Sequence, residues 1–402
     1  MQALHPLLQT QLEKHESASI IDLVDGLLAH AYTVYASDIH IDPTPEAMVI
    51  RMRIDGVLYT IASLPKLIRW EIISRIKILA CLRTDEHVAA QDGRFRVTLE
   101  GATIDVRVSI LPTYYGENAV LRLLVERTKD MTLDDLGLTG TNKERIVSAL
   151  KRPHGMILAT GPTGSGKTTT LYSMLKILAK KSPSIVTIED PIEYAIDGVR
   201  QVQINQKTGL TFAHGLRAIV RQDPDCIMVG EIRDHETADL AINSSLTGHL
   251  LLSTLHTNDA VTTLIRLLDM GVEPYLLAST VRMALAQRLV RRVCESCKEI
   301  YTPSSTENAV VKKYSSREVC SLWKGKGCAK CNQTGYRDRI GVFEVLVMTD
   351  ELRHALTQRA STQTMREYAT ASGMTSLESD GIAKALSGIT TLEEVMRITC
   401  EE

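Results

Sequence analysis

The stretch Gly161-Pro162-Thr163-Gly164-Ser165-Gly166-Lys167-Thr168 decides the fold of this chain. It follows the apolar run 155–159 and opens the segment 169–178, in which apolar residues recur at helical spacing. A strand, a glycine-rich turn and a helix in this order form a phosphate-binding loop. The N–H groups of such a turn and the positive end of the helix bind phosphate oxygens, and glycines let the main chain come close.

Each residue type in this stretch has an expected role in binding ATP. Lys167 supplies a positive charge to the β- and γ-phosphates, and Thr168 offers its hydroxyl to Mg²⁺, which takes oxygen ligands. The other interpretation is a turn that matches by chance, but eight matching positions between a strand and a helix argue against it. We therefore predict that Gly161 to Thr168, together with Thr169, bind ATP and Mg²⁺.

Size and composition exclude several classes of protein. A chain of 402 residues with 44% hydrophobic residues is globular and long enough for about two or three domains. Its net charge of −2 gives no bulk basic field to attract nucleic acid or anionic lipid. Apolar runs stay well short of the ~20 residues of a membrane span, and residues 1–10 lack the basic start of a signal peptide. We expect a cytoplasmic protein without a nucleic-acid partner.

The first part of the chain predicts a small α/β domain at 18–125, after a loose tail or frayed helix at 1–17. A helical period over 20–31 is followed by alternating apolar residues on both sides of Asp55-Gly56, a pair typical of hairpin turns. A second hairpin is predicted around Glu100-Gly101. The sheet is therefore expected to be mostly antiparallel.

The second part predicts a domain at 136–402, joined to the first by a charged linker at 126–135. Short apolar runs alternate here with helical segments, which is typical of a largely parallel sheet that binds ligands at the carboxyl ends of its strands. The predicted strands are 155–159, 184–188, 226–229 and 250–253.

Two acidic and two histidine residues follow or flank these strands. Phosphoryl transfer needs a metal, an oriented water and positive charge on the phosphate oxygens, so Glu231 and Glu189 are candidates to polarise water or to order the metal shell. Acidic residues after strands also cap helices or face solvent. His249 and His256 are candidates for sensing the γ-phosphate or for contact between subunits, although such histidines are often simply hydrogen-bonded.

The cysteine spacing predicts a structural metal site. Cys294 and Cys297 form one C-x-x-C pair, and Cys328 and Cys331 form another after thirty intervening residues, 298 to 327. Four thiolates suit tetrahedral Zn²⁺ and leave no open position for catalysis. A disulfide or redox role is less consistent with a reducing compartment.

The phosphate loop and three later segments resemble the four sequence boxes of secretion ATPases. The resemblance extends over most of the chain and is closest to type II secretion protein E and the type IV pilus assembly ATPases. The later boxes are 187–194, 221–234 and 247–259. Further matching segments are Ala36–Ile41, Arg53–Val57, Gln91–Arg94, Ala286–Arg291, Asp380–Ile382 and Thr390–Val395.

This resemblance implies a RecA-like ATPase core with a zinc module at about 290–340 and C-terminal helices at 345–402, preceded by a PAS-like α/β domain. It implies a homo-hexameric ATPase at the cytoplasmic face of the inner membrane that drives pilin or pseudopilin assembly. In the family, arginines of the second N-terminal domain close over the nucleotide. At the matching positions these are Arg107 and Arg122, which on sequence pattern alone would be a solvated strand face.

The implied partners are a polytopic platform protein of the inner membrane and a further membrane assembly protein. Larger family members carry an additional N-terminal domain that docks on a membrane partner, whereas a short tail precedes Ser19 here. We therefore expect these peripheral membrane contacts to use other surfaces.

Three alternative functions remain to be weighed. A pilus retraction ATPase shares the four boxes but typically lacks the four cysteines. A DNA-translocating motor would need a basic channel and stacking aromatics, and the chain has a net charge of −2 and 4% aromatic residues. A nucleotide-binding scaffold without turnover would not need Lys167, Thr168, Glu189 and Glu231 together.

Overall fold

The computed structural model describes residues 4–14, 17–99, 101–124, 131–181, 183–315 and 321–399. Parts of the predicted tail (1–3 and 15–16) and of the predicted linker (126–130) lie outside the described residues. The chain divides into two compact units: Met1–Thr128 with Gly327–Arg337, and Lys129–Lys326 with Asp338–Glu402. Among the described residues, we find no helix with the length and hydropathy needed to cross a lipid bilayer.

The N-terminal unit is an antiparallel sheet packed against helices. Its elements are α1 (Pro6–Glu13), α2 (Ile20–Thr33), β1 (Ala36–Pro43), β2 (Ala47–Ile54), β3 (Val57–Pro65), α3 (Arg69–Leu79), β4 (Gln91–Leu99), β5 (Ala102–Thr113) and β6 (Gly116–Leu124). The strand order is β3-β2-β1-β6-β5-β4, and every neighbouring pair is antiparallel. Alternate residues of β2, such as Ile50 and Met52, are fully buried in its core.

Local sequence accounts for most of this unit. Asp55 and Gly56 have positive φ values of 48° and 88°, as a type I′ hairpin turn requires, and they join β2 to β3. The Ser19 side chain accepts a hydrogen bond from Asp22 N and caps α2. Residues 6–13 form a helix rather than a loose tail, because Leu8 is completely buried.

The second unit has a seven-stranded sheet and a helical C-terminal part. Its elements are α4 (Gly140–Leu150), β7 (Gly155–Thr160), α5 (Lys167–Ala179), β8 (Ile185–Glu189), β9 (Val199–Gln203), α6 (Phe212–Val220), β10 (Cys226–Val229), α7 (His235–Leu246), β11 (Leu250–Leu255), α8 (Ala260–Asp269), α9 (Pro274–Thr280), β12 (Val281–Val293), β13 (Lys298–Tyr301), α10 (Ser305–Tyr314), β14 (Leu322–Gly325), β15 (Tyr336–Val347), α11 (Asp350–Thr357), α12 (Thr362–Ala371), α13 (Leu377–Leu386) and α14 (Leu392–Thr399).

The order of the large sheet is β15-β12-β7-β11-β10-β8-β9, and the pairs from β12 to β9 are parallel. Both faces are covered, so β7 is buried along its whole length. Its residues alternate between two cores: Met156 and Leu158 pack in one, Ile157 and Ala159 in the other. The predicted fold class, with an antiparallel N-terminal sheet and a parallel-rich core sheet, is confirmed. The pattern did not predict β9, β12, β13, β14 or β15.

A buried carboxylate connects the last helix to the sheet. Glu394 on α14 is fully buried and accepts hydrogen bonds from the backbone N–H and the guanidinium of Arg291 on β12, at 2.9 and 2.7 Å. Arg397 donates two more bonds, at 2.9 and 3.0 Å. Burial alone would raise the pKa of Glu394, but the bonds from Arg397 and Arg291 outweigh it and lower the pKa to about 2.

We predict that Glu394→Gln destabilises the second unit. Losing one member of a buried ion pair costs roughly 3–5 kcal/mol, measurable as a lower midpoint of urea denaturation at pH 7. The depressed pKa stabilises the fold fully above the ordinary pKa of 4.5, and this contribution is lost as pH falls towards 2. The gap between wild type and variant should therefore be smaller at pH 4 than at pH 7.

Glu393 provides the control, because it is the exposed neighbour on the same helix. Glu393→Gln should denature as wild type does at both pH values. Equal midpoints for Glu394→Gln and Glu393→Gln would contradict the role of the buried carboxylate.

Candidate nucleotide-binding site

The phosphate loop, residues 161–168, connects the end of β7 to the start of α5. Gly161 and Gly166 have φ values of 143° and 87°, in the range that favours glycine. A Cβ atom at Gly161 would lie 2.5 Å from the carbonyl oxygen of Gln287, and one at Gly166 would lie 2.8 Å from its side-chain amide nitrogen. Strand β12 thus closes the back of the loop, and glycine is required at both positions.

Two polar side chains of the loop fit a phosphate ligand. Ser165 is buried, and its hydroxyl has no hydrogen-bond partner among the described residues. Lys167 is also buried, and its ammonium donates to the carbonyl oxygens of Gly161 and Pro162 at 2.8 and 3.1 Å. The loop therefore holds its charged donor at the turn where phosphate oxygens bind.

Burial lowers the pKa of the Lys167 ammonium to about 8, and the neighbouring positive charge of Arg288 adds to this effect. The carboxylate of Glu231 acts in the opposite direction, so Glu231 lies close enough to Lys167 to interact with it electrostatically. The parallel register of β7, β11 and β10 places the loops that carry these two residues at the same edge of the sheet. An anionic phosphate would restore the stabilisation that the ammonium loses on burial.

Glu231 follows the strand β10 after one intervening residue, Gly230, and two cationic or hydrogen-bonding groups hold its carboxylate. Nε2 of His256 lies 3.1 Å from Oε2, and Arg233 pairs with Oε1. Burial would raise the pKa of Glu231, but the contacts with Arg233 and His256 outweigh it, so the pKa is lowered. The carboxylate is therefore ionised at neutral pH and fixed in direction.

Glu189 has different surroundings. It is buried at the end of β8, where Tyr172 donates to Oε2 while Thr187 and Gln201 donate to Oε1 at 2.5 and 3.1 Å. Burial, followed by the bond to Glu189, raises the pKa of the Tyr172 hydroxyl. Glu189 thus connects β8 to α5 and β9. The structure joins it to this buried cluster and not to the Glu231–His256 pair.

His249 and His256 lie at opposite ends of β11. The carbonyl oxygen of His249 accepts a bond from Gly155 N, at the start of β7, and its Nδ1 lies 2.9 Å from the carbonyl oxygen of Ser244. The phosphate loop follows the other end of β7, about 20 Å away at ~3.3 Å per residue. The structure therefore does not bring His249 to the phosphate loop of its own chain, whereas it brings His256 to Glu231.

The remaining predicted ligands lie in α5 and in the N-terminal unit. Thr168 and Thr169 are half-buried in the first turn of α5. Arg107 and Arg122 lie directly opposite each other on β5 and β6. Nε of Arg122 donates to Oδ1 of Asp38 at 2.9 Å, and Asp38 is buried.

Sequence reasoning missed the part that β12 plays behind the loop. Gln287 accepts a bond at 2.8 Å from the hydroxyl of Thr170 in α5, and Arg288 donates to the Asn258 side chain at 3.4 Å. In the sequence, Gln287 and Arg288 were noted only as members of the segment 286–291 that matches the family. Nothing in its local pattern indicates that this strand lies next to β7.

The four predicted cysteine ligands come together. The sulfur atoms of Cys294, Cys297, Cys328 and Cys331 all lie within 4.8 Å of one another. Those of Cys328 and Cys331 are 3.7 Å apart, too far for a disulfide but close to the ~3.8 Å between thiolates on a tetrahedral zinc. Backbone N–H groups of Cys328 and Gly335 donate to the Cys331 sulfur at 3.1 and 3.3 Å. The donor set and its geometry fit one tetrahedral, thiophilic ion.

A buried parallel strand, a glycine-rich loop, a helix that begins with lysine and a carboxylate that follows the next strand but one define a P-loop nucleotide-binding protein. Comparison with known families narrows this class. The family model described as type II/IV secretion system protein matches residues 13–397. The chain belongs to that family.

Its relatives include proteins of type II secretion. The type II secretion system protein E of Pseudomonas aeruginosa is 45% identical over 397 residues, which cover 99% of this chain and 79% of the relative. The type II secretion system ATPase E of Vibrio cholerae is 45% identical over 390 residues, which cover 97% of this chain and 77% of the relative.

Solved structures show the same fold. The ATPase DotB of Legionella pneumophila superposes with a TM-score of 0.69 at 23% identity, over 94% of this chain and 95% of DotB. The pilus retraction motor PilT with bound ADP gives a TM-score of 0.61 at 25% identity, over 92% of this chain and 95% of PilT.

Proposed function

We propose that this protein hydrolyses ATP and that the released energy drives the assembly of pilin-like subunits in a type II secretion system. It is an ATPase of the secretion family, with relatives named type II secretion system protein E at 45% identity over nearly the whole chain. The observation that supports the catalytic part is the contact of His256 with Glu231, which holds this carboxylate at the edge of the sheet that carries the phosphate loop.

Each residue of the site has a separate role in phosphoryl transfer. The N–H groups of residues 161–168 and the ammonium of Lys167 bind the phosphates, and Thr168 would hold Mg²⁺, which supplies charge neutralisation at the β- and γ-oxygens. Glu231 orients the attacking water. Because its lowered pKa makes it a weak base, it positions the water rather than storing the proton. His256 and Arg233 keep this carboxylate in one direction.

Glu189 supports the site from a distance. Its bonds to Tyr172 and Gln201 hold α5 against β8 and β9, so its substitution should affect stability before it affects hydrolysis. His249 belongs to the far end of the sheet, and we assign it to contact between subunits.

We assign the charge-stabilising role to arginines of the N-terminal unit. Arg107 and Arg122 share one transverse row of the antiparallel sheet, and Asp38 holds Arg122 in a fixed direction. Their insertion at the nucleotide would couple hydrolysis to movement of that unit. The assembly is a homo-hexamer at the cytoplasmic face of the inner membrane, with a platform protein and a further membrane assembly protein as partners.

The alternative functions have less support. Identity to the pilus retraction motor is 25%, against 45% for the type II secretion relatives. The balanced charge of 46 basic and 48 acidic residues does not favour a DNA-translocating motor. Assembly of a type IV pilus uses the same chemistry, and the filament served is decided by the partner proteins.

The first test compares Glu231→Gln with Lys167→Ala. Loss of the carboxylate should lower ATP turnover by about 10²–10⁴-fold while nucleotide still binds, because the phosphate donors remain. Loss of the ammonium should weaken nucleotide binding itself. Phosphate release gives turnover, and titration with a fluorescent nucleotide gives affinity.

Glu236 supplies the control, because it is an exposed acid on the following helix α7 that pairs with Arg217. Glu236→Gln should hydrolyse ATP at the wild-type rate. Undiminished phosphate release by Glu231→Gln would remove Glu231 from the mechanism.

The second test concerns the arginines. Arg122→Ala should reduce turnover at least about tenfold and leave nucleotide affinity unchanged, since an inserted arginine acts on the transition state. Arg96→Ala is the matched control: it lies on the same sheet, where it pairs with Asp105 at 3.0 Å. Equal rates for the two variants would assign Arg122 to the sheet surface.

We propose Zn²⁺ as the ion held by the four cysteines, where it stabilises the chain between β12 and β15. Protein purified without chelator should contain about one zinc per chain by elemental analysis. Cys331→Ser should lose the metal and melt at lower temperature, because zinc binding contributes folding free energy. Cys81→Ser, at an exposed cysteine outside the cluster, should keep both. Zinc-free wild-type protein would contradict the proposal.

A further inference from the structure

Three threonine hydroxyls connect the phosphate-loop strand to the loop that carries His256. Thr160 is the last residue of β7 and directly precedes the phosphate loop. Its hydroxyl oxygen accepts a bond from Thr257 N at 2.9 Å and lies 2.7 Å from the Thr257 hydroxyl. The carbonyl oxygen of Thr257 is also 2.9 Å from this hydroxyl. Thr160 is fully buried, so water does not compete for these contacts.

The hydroxyl of Thr257 also contacts α8, the helix that follows the same loop. The Thr257 hydroxyl lies 2.7 Å from the hydroxyl of Thr263 on α8, and Thr263 donates to the carbonyl oxygen of Asp259 at 2.9 Å. Thr263 is fully buried. The segment 256–259 is therefore tied at its middle to β7 and at its end to α8.

The end of β11, which precedes this segment, is tied to the loop of Glu231. Thr254 donates to the carbonyl oxygen of Gly230 at 2.7 Å, and Ile232 N donates to the carbonyl oxygen of Thr254 at 3.0 Å. His256 lies between Thr254 and Thr257 in the chain. Its contact with Glu231 is thus fixed on one side by the bonds of Thr254 to Gly230 and Ile232 and on the other by the hydroxyl of Thr257.

We propose that Thr257, through its hydroxyl contact with Thr160, is a positioning residue for ATP hydrolysis that transmits the state of the phosphate loop to the His256–Glu231 pair. Thr160 is bonded to Gly161, so a change in the phosphate loop when the γ-phosphate binds or leaves moves the partner of Thr257. The inference rests on the proposed ATPase function and adds a connection that orients the catalytic carboxylate.

A purely structural role is the competing explanation, because buried threonine hydroxyls often only satisfy nearby carbonyls. Ser253 serves as an internal comparison. It is fully buried on β11, the strand that precedes the segment 256–259. Its hydroxyl donates to the carbonyl oxygen of Val229 at 2.7 Å and not to that segment. Loss of the Ser253 hydroxyl should therefore affect stability alone.

The experiment compares Thr257→Val, Thr257→Ser and Ser253→Ala in the full-length protein. Thr257→Val keeps the shape and removes the hydroxyl, so kcat should fall at least about tenfold while KM for ATP changes less than about twofold. Thr257→Ser should restore kcat to within about threefold of wild type. Ser253→Ala should melt at lower temperature with kcat within about twofold of wild type.

A second readout does not depend on turnover. The ratio of the affinities for ADP and for a non-hydrolysable ATP analogue should shift towards one in Thr257→Val and remain as in wild type in Thr257→Ser. Wild-type protein without phosphate release would refute the proposed ATPase function, while this affinity ratio would still decide the role of Thr257.

Three results would overturn the proposal: wild-type kcat in Thr257→Val, failure of Thr257→Ser to restore it, or an equal loss of kcat in Ser253→Ala. If Thr257→Val does not fold, Thr160→Val and Thr160→Ser provide the same comparison from the other side of the contact.

Discussion

Parallel pairing of β7 with β11 and of β11 with β10 is the constraint on which the site depends. In a parallel ladder the carboxyl ends of all strands meet at one edge, so the loops that follow Thr160, Val229 and Leu255 converge there. Both faces of these strands are covered, which requires continuous apolar sequence. Polar chemistry is thereby concentrated in the few residues that come directly after each strand.

The same arrangement sets the electrostatics. Burial destabilises the charged form of Lys167, and the positive charge of Arg288 on β12 destabilises it further. A negative charge beside the ammonium is therefore stabilising. The negative charge of Glu231 offsets part of this destabilisation, and the Glu231 carboxylate is itself held by His256 and Arg233. In this structure the Lys167 ammonium donates to the carbonyl oxygens of Gly161 and Pro162, so a bound phosphate would have to replace these two acceptors.

Most of the fold could be predicted because it follows from local patterns. The apolar runs give the central strands, and Asp55-Gly56 gives a hairpin through its positive φ values. Strands β12 and β15 were missed because charged residues interrupt their apolar patterns, as Arg291 and Arg292 do in β12 and Arg337 and Arg339 do in β15. Strand β12 also contains Gln287 and Arg288, whose polar side chains break the apolar pattern although they face the phosphate loop and its helix.

The sequence indicates which polar residues follow the strands, but it does not indicate which of them lie close together. A position after a strand does not tell which face of the sheet the side chain joins, because successive residues alternate between faces. Glu189 therefore joins Tyr172 and Gln201 in a buried cluster, while Glu231, which follows a neighbouring strand, contacts His256. His249 and His256 have similar sequence contexts, but one precedes β11 and the other follows it.

The sequence by itself determined the phosphate loop, the apolar strands around it and the two cysteine pairs, because spacing and residue type along the chain are sufficient for each. Only the tertiary structure decided which side chains meet. It placed the Thr160 hydroxyl against Thr257 and brought four cysteine sulfurs within 4.8 Å of one another. Such contacts depend on the register between strands and on the path of long connections, and neither is encoded by a local pattern.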